Sequence, residues 1–355
     1  MPQLREATLI VDIALLTVLA LRLLPMLSQR RAQYTLGLVV CSTAYLTAWL
    51  MHDHDVARPL RLVILLGVVA QPVFFWLVCN ELFDDRFRLR WWHGLLIAGK
   101  FVLAGALVFN RRITDIFSPF PTEYFPRLIP NFFYTLGFVF HALAVVLRTN
   151  RADLIEPRRR MRAMVLIGTG VLIMHAIISA AALRPAGLGE VSDTIGLTAI
   201  TMALFASVAW GDIAWRELFV AQNKSATQQA ENADPMVMQK AIQAMETEEL
   251  FRTEGLTVTA LAEKLGVQEY KLRRAINGGL GYRNFNEYLN FYRMRAAKKF
   301  LDAPENRDYP LIHLALDLGY PSPAPFNRAF KEATGVAPGQ YRRVNMAPPT
   351  RAIEN

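Results

Sequence analysis

The stretches TVTALAEKLGVQEYKLRRAI (257–276) and LIHLALDLGYPSPAPFNRAFKEATGVAPGQYRR (311–343) decide the fold. Each reads as a short helix, a turn at a glycine (Gly266, Gly319) and a second helix that carries basic side chains. Apolar residues at helical spacing give every helix an inward face. In the first pair these are Ala260, Leu261 and Leu265, then Leu272 and Ile276; in the second, Leu311, Leu314, Ala315 and Leu318, then Phe326 and Phe330. Ser322 stands where a helix cap belongs, with Pro323 at the first helical position, where the missing N–H costs little.

What remains outward on the second helices is Tyr270, Lys271, Arg273 and Arg274 in the first pair, and Asn327, Arg328 and Lys331 in the second. A charge run is usually only a solvated face, but here the arrangement occurs twice. Basic and aromatic groups on an exposed helix after a tight turn are what phosphate positioning and base-edge contacts require. The stretch NEYLNFYRMRAAKKFL (286–301) between the pairs reads as a longer helix, a spacer with Leu289, Tyr292, Ala296 and Phe300 inward. Residues 251–345 carry 15 Lys and Arg against 9 Asp and Glu, a surplus that attracts a phosphate backbone and makes binding steeply salt dependent.

Residues 257–343 resemble the C-terminal domain of the AraC/XylS family of bacterial transcription regulators, in LAEKLGV, EYLNFYRMRAAKKFL, LALDLGY and FNRAFKEATGVAPGQYRR and in their order. The resemblance covers about a quarter of the chain. It implies an all-helical domain with two helix-turn-helix units joined by a long helix, placing two recognition helices in successive major grooves. By position, the DNA-facing roles fall on Tyr270, Lys271, Arg273 and Arg274, and on Asn327 and Arg328, with Lys331 beside them. Promoter DNA and RNA polymerase are the partners it implies, and a homodimer is a further one. The second recognition helix departs from the family in opening Pro323, Ala324, Pro325, which points to phosphate anchoring more than base reading.

Upstream, PMVMQKAIQAMETEELF resumes apolar spacing at Met238, Ile242, Met245 and Leu250, with Asp234 as cap and Pro235 first, so a helix packed on the DNA-reading region is expected. Before it, AQNKSATQQAENADP (221–235) is polar and lacks an apolar stripe. The expected organisation is an N-terminal domain over 1–215, a linker over 216–234, a DNA-binding domain over 235–345 and a disordered tail over 346–355.

The first 215 residues are of another kind. The chain has 355 residues, 53% hydrophobic and only 19% charged, against roughly 25% charged in soluble domains. Seven apolar runs, near 8–27, 34–51, 60–82, 91–109, 128–147, 164–183 and 195–215, have about the 17–25 residues that a helix needs to cross a bilayer. The expected fold class is therefore all-α: a seven-transmembrane helical bundle followed by a double helix-turn-helix domain. No A-x-A-like cleavage site follows the first run, which is read as a retained anchor. With the N-terminus outside, the inner loops carry 11 arginines and the outer side 7, and the DNA reader lies in the cytoplasm. Trp91 and Trp92 fall at an inner boundary, where amphipathic rings prefer to sit. The expected location is the inner membrane of a bacterial cell, multi-pass in the lipid bilayer.

Inside the expected spans, Lys100, Asp12, His141 and His175 are polar groups that either sense a signal ligand of unknown chemistry or hold the bundle together. A retinal-type lysine is absent from the seventh run. His52, Asp53, His54 and Asp55 read as a solvated loop in preference to a metal site. Cys41 and Cys79, both in apolar runs, support neither a disulfide framework nor a metal site. Neither HExxH, GxSxG nor a paired-carboxylate face occurs in the spans, so no enzyme, cofactor or metal is expected. The expected function is a membrane-bound one-component regulator that senses an envelope or membrane signal. The alternatives are a transporter or enzyme with a self-regulating DNA-binding domain, or a tether that senses nothing.

Overall fold

The computed structural model describes residues 2–50, 58–109, 125–148, 152–178, 187–215 and 233–345. The expected tail, most of the linker, the His52–Asp55 loop and the proline-containing loop after residue 109 lie outside the described residues. Among the described residues the chain is all-α, apart from one isolated antiparallel bridge between Asp153 and Asn284. It divides into two compact units: Met1–Asn150 with Pro157–Gln222, and Arg151–Glu156 with Asn223–Asn355.

Among the described residues the long helices of the first unit are α1 (Pro2–Leu23), α2 (Arg30–Leu50), α3 (Arg58–Phe83), α4 (Trp91–Phe109), α5 (Phe125–Arg148), α6 (Glu156–Ile178) and α7 (Gly189–Trp215). α1 lies against α2 and α7, α3 against α2 and α5, and α4 against α5. Leu9, Leu16, Val73, Trp76, Leu77, Ala142 and Val146 belong to its buried core. Outward, Val63, Leu95, Val102, Phe133 and Ile167 are each more than 60% exposed, an apolar exterior that water would not favour. Among the described residues, Glu6–Met26, Pro59–Phe83 and Pro130–Arg148 are long and apolar enough to cross a membrane. α6 begins at Glu156 where the hydropathy suggested 164, because Arg158 and Arg162 are buried in this unit and extend the helix into the charged segment.

The second unit contains α8 (Pro235–Glu246), α9 (Val258–Leu265), α10 (Glu269–Arg274), α11 (Phe285–Asp302), α12 (Leu311–Asp317), α13 (Pro323–Thr334) and α14 (Pro338–Asn345). Asp234 caps α8 by accepting from the N–H groups of Met236 (3.0 Å) and Val237 (3.4 Å). α8 packs within the unit, where its buried stripe is Val237, Ala241, Ala244 and Met245; Met245 is inward as its spacing suggested and Met238 packs partly buried against the core, while Ala241 takes the place expected for Ile242. Small alanines let α8 approach closely: the Tyr288 hydroxyl of α11 donates to the Ala241 carbonyl at 2.8 Å, and burial pushes that phenol well above its ordinary pKa.

Candidate nucleic-acid interface

Both helix pairs close at a glycine with positive φ, Gly266 (62°) and Gly319 (78°), a conformation that side chains with a Cβ disfavour. Thr257 caps α9 by accepting from the Ala260 N–H at 3.1 Å. Leu261, Leu272 and Ile276 are fully buried in the first pair, and Leu314, Ala315, Phe326 and Phe330 in the second. Ala262 is the buried alanine of α9, with Ala260 only partly covered. Ser322 occupies the cap position of α13, but its side chain makes no capping hydrogen bond, so Pro323 carries the start of that helix.

On α10 the side chains of Tyr270 (55% exposed), Lys271 and Arg274 face outward together. On α13, Asn327, Arg328 and Lys331 do the same, opposite the buried Phe326 and Phe330. Arg273 departs from the outward face expected for it. It is only 5% exposed; its Nε and Nη2 each donate to Glu269 Oε1 at 2.7 Å, and its Nη1 donates to the Asp153 carbonyl at 2.5 Å. Glu269 is in turn held by the Thr259 hydroxyl at 2.8 Å. Helix geometry explains the split, since residues 270, 271 and 274 share one arc while 269 and 273 share the next.

Hydropathy also hides a further buried arginine in this unit. Arg293, on the spacer helix α11, is 7% exposed, donates to the carbonyls of Phe251 (2.8 Å) and Thr253 (3.2 Å), and stacks over the Tyr320 ring at 4.8 Å. It joins the segment before the first pair to the turn of the second, and burial draws its pKa below the usual arginine value, partly offset by Tyr320. The signal available in the sequence was an arginine directly after the inward Tyr292 on a helix that must be buried on more than one side. Arg295, by contrast, is half exposed and pairs with Glu246 at 3.1 Å.

The four polar residues expected to matter in the first unit lie in separate places. Lys100 on α4 is 2% exposed and donates to Asn131 Oδ1 (2.7 Å) and Thr135 Oγ1 (2.6 Å) on α5. His141 on α5 accepts from the Trp76 Nε1–H on α3 at 2.9 Å. His175 packs on Gly196 of α7, where an added Cβ would meet its Nε2 at 2.7 Å. Asp12 is wholly buried in α1. No group of three or more His, Cys, Asp or Glu is placed to hold a metal among the described residues.

Residues 261–344 match the family described as "Helix-turn-helix domain". Over 117 residues the chain is 29% identical to "Probable transcription factor PqrA" of Proteus vulgaris, a match that covers 33% of this chain and 92% of that protein. It also aligns with the solved C-terminal domain of AraT, a response regulator from Geobacillus stearothermophilus, at 30% identity, over 35% of this chain and 96% of that one, with a TM-score of 0.29.

Proposed function

We propose that this chain, whose C-terminal unit is an AraC-type helix-turn-helix domain of a DNA-binding transcription regulator, is a one-component regulator held in the inner membrane by its seven N-terminal helices. The observation that carries the reading is the pair of outward basic faces, Tyr270, Lys271 and Arg274 on α10 and Asn327, Arg328 and Lys331 on α13, in a chain whose other unit is built of apolar helices. The arginine bias of the loops supports an outside N-terminus and a cytoplasmic DNA reader. A signal that alters the helical bundle then changes promoter occupancy, and through it recruitment of RNA polymerase, by favouring one of two arrangements of the protein. Lys100 with Asn131 and Thr135 is the polar centre on which such a ligand acts, because an ionisable group within an apolar bundle is costly to keep and more often marks a functional site than a structural one.

Cytoplasmic-side-out vesicles carrying the full chain should retain genomic DNA fragments from the host, and retention should fall roughly 10³-fold between about 50 and 200 mM salt. Chain recovered in the soluble fraction sinks the membrane half of the proposal. Vesicles that hold the chain but retain no more DNA than empty ones sink the other half. Lys271→Gln, removing one phosphate-directed charge, should weaken all fragments alike and lower the slope of log affinity against log salt by about 0.9.

A further inference from the structure

Residues 152–155 lie in the connection between α5 and α6, yet they are built into the DNA-binding unit. Ala152–Leu154 runs antiparallel to Arg283–Phe285: the Phe285 N–H donates to the Ala152 carbonyl at 2.7 Å, the Leu154 N–H donates to the Arg283 carbonyl at 3.2 Å, and Asp153 faces Asn284. Leu154 is 3% exposed and is a member of the unit's hydrophobic core. The Asp153 carboxylate accepts from the Ile155 N–H at 3.0 Å and shapes the turn, while its carbonyl takes the Arg273 Nη1–H. A loop that served only to join two helices would stay solvated and leave its one leucine at the surface. This one contributes a core side chain to residues more than a hundred positions away.

At its C-terminal end this segment runs directly into α6. α5 ends at Arg148, and α6 starts at Glu156. Two residues into α6, Arg158 forms a two-pronged pair with Asp85 (2.9 and 3.1 Å). One turn on, the buried Arg162 donates to the Val146 carbonyl (2.9 Å) and the Phe83 carbonyl (3.2 Å) and lies over the Phe83 ring. Those contacts fasten the start of α6 to the ends of α3 and α5. A displacement of the start of α6 therefore has only residues 152–155 to travel through before it reaches the core of the second unit, whereas the 221–235 stretch is polar and lacks an apolar stripe.

We propose that residues 152–155, which run directly into α6, form a strap packed on the first helix-turn-helix pair, so that a change at the start of α6 reaches α10 by this route and not by the linker. The strap rests on the flank of α10 at Arg273 and leaves Tyr270, Lys271 and Arg274 outward, so it supports the recognition helix without covering its DNA-facing side. Its withdrawal removes a core leucine, two backbone hydrogen bonds and one acceptor of Arg273, and lowers DNA occupancy. The proposal rests on the membrane-sensor reading for the origin of the signal but not for the strap itself.

The test uses the full chain in native membranes, with Cys41→Ala and Cys79→Ala as background, Asp153→Cys with Asn284→Cys, and a specific protease site placed within 222–231. Facing residues of an antiparallel pair with this hydrogen-bond pattern have Cα atoms about 4.5 Å apart, within disulfide range. Mild oxidation should cross-link the pair, and after protease cleavage the C-terminal fragment should stay with the membrane pellet until reductant releases it. In cells, Leu154→Asp should lower promoter occupancy about tenfold, while lengthening the linker by about twelve Gly and Ser residues should change it less than about twofold, the scale of coupling energies carried by packed contacts. Failure to cross-link, or a linker extension that abolishes occupancy while Leu154→Asp does not, overturns the strap. A full chain that fractionates as soluble but still cross-links overturns the membrane reading and leaves the strap standing.

Discussion

Charge reversal at Arg274 and Arg328 together should reduce DNA affinity of the full chain at least about 100-fold at physiological salt, because each site loses one attraction worth roughly 1–3 kcal/mol and gains a repulsion from phosphate. Both side chains are exposed, one on each second helix, so thermal unfolding should shift by no more than about 0.5 kcal/mol of stability. Filter binding on graded salt, with unfolding followed in parallel, separates a lost interface from a lost fold. Unchanged affinity in a folded double variant removes α10 and α13 as the DNA-facing helices. The single variants test an asymmetry: Arg274→Glu should relax the preference among sequences, whereas Arg328→Glu, on the helix that opens Pro323, Ala324, Pro325, should weaken all sequences more evenly.

The two turn glycines should respond very differently to the same substitution. Gly266 and Gly319 both have φ in the left-handed region, where an added Cβ costs roughly 1 kcal/mol. Around Gly266 a Cβ would meet nothing within 4 Å, so Gly266→Ala should cost about that and no more. At Gly319 the Cβ would meet the Arg252 carbonyl oxygen at 2.5 Å and its carbon at 2.8 Å, with Arg293 Nη2 at 2.8 Å. Backbone cannot swing aside as a side-chain tip can, and the displaced guanidinium holds Phe251 and Thr253. Gly319→Ala should therefore destabilise the C-terminal unit by about 3 kcal/mol or more, the sum of strain and overpacking. Denaturant unfolding of the two variants side by side checks this; equal losses would mean that Arg252 does not close on that turn. The difference is invisible in sequence, where both sites are a glycine after a short amphipathic helix.

The double helix-turn-helix region was readable because its signals are local. Leu272 and Ile276, Leu314 and Ala315, and Phe326 and Phe330 face inward by helical spacing alone, and Gly266 and Gly319 end their helices for a reason internal to the backbone. Local reading slipped in part where several faces were apolar enough to serve, as in α8: Met245 and, partly buried, Met238 pack on the core as their spacing suggested, but the centre of the stripe runs through Val237 and Ala241, and Ile242 lies beside it. The larger bulky residues suggested the inward side, but α11 lies close enough for Tyr288 to bond the Ala241 carbonyl, and the wholly buried side chain there is a small alanine.

The sequence by itself determined the all-α class, the alternation of helix and turn, and the repeat of an outward basic helix, since each depends on residues within one or two turns of one another. The tertiary structure alone decided which cations face outward. Arg273 and Arg274 are neighbours of identical chemistry, yet one is buried on the Asp153 carbonyl and the other is exposed. Arg293 and Arg295 divide in the same way across Phe251 and Glu246. A guanidinium leaves water only where carbonyl or carboxylate acceptors replace its hydration. Here those acceptors come from chain segments far off in sequence, and no local pattern records their arrival.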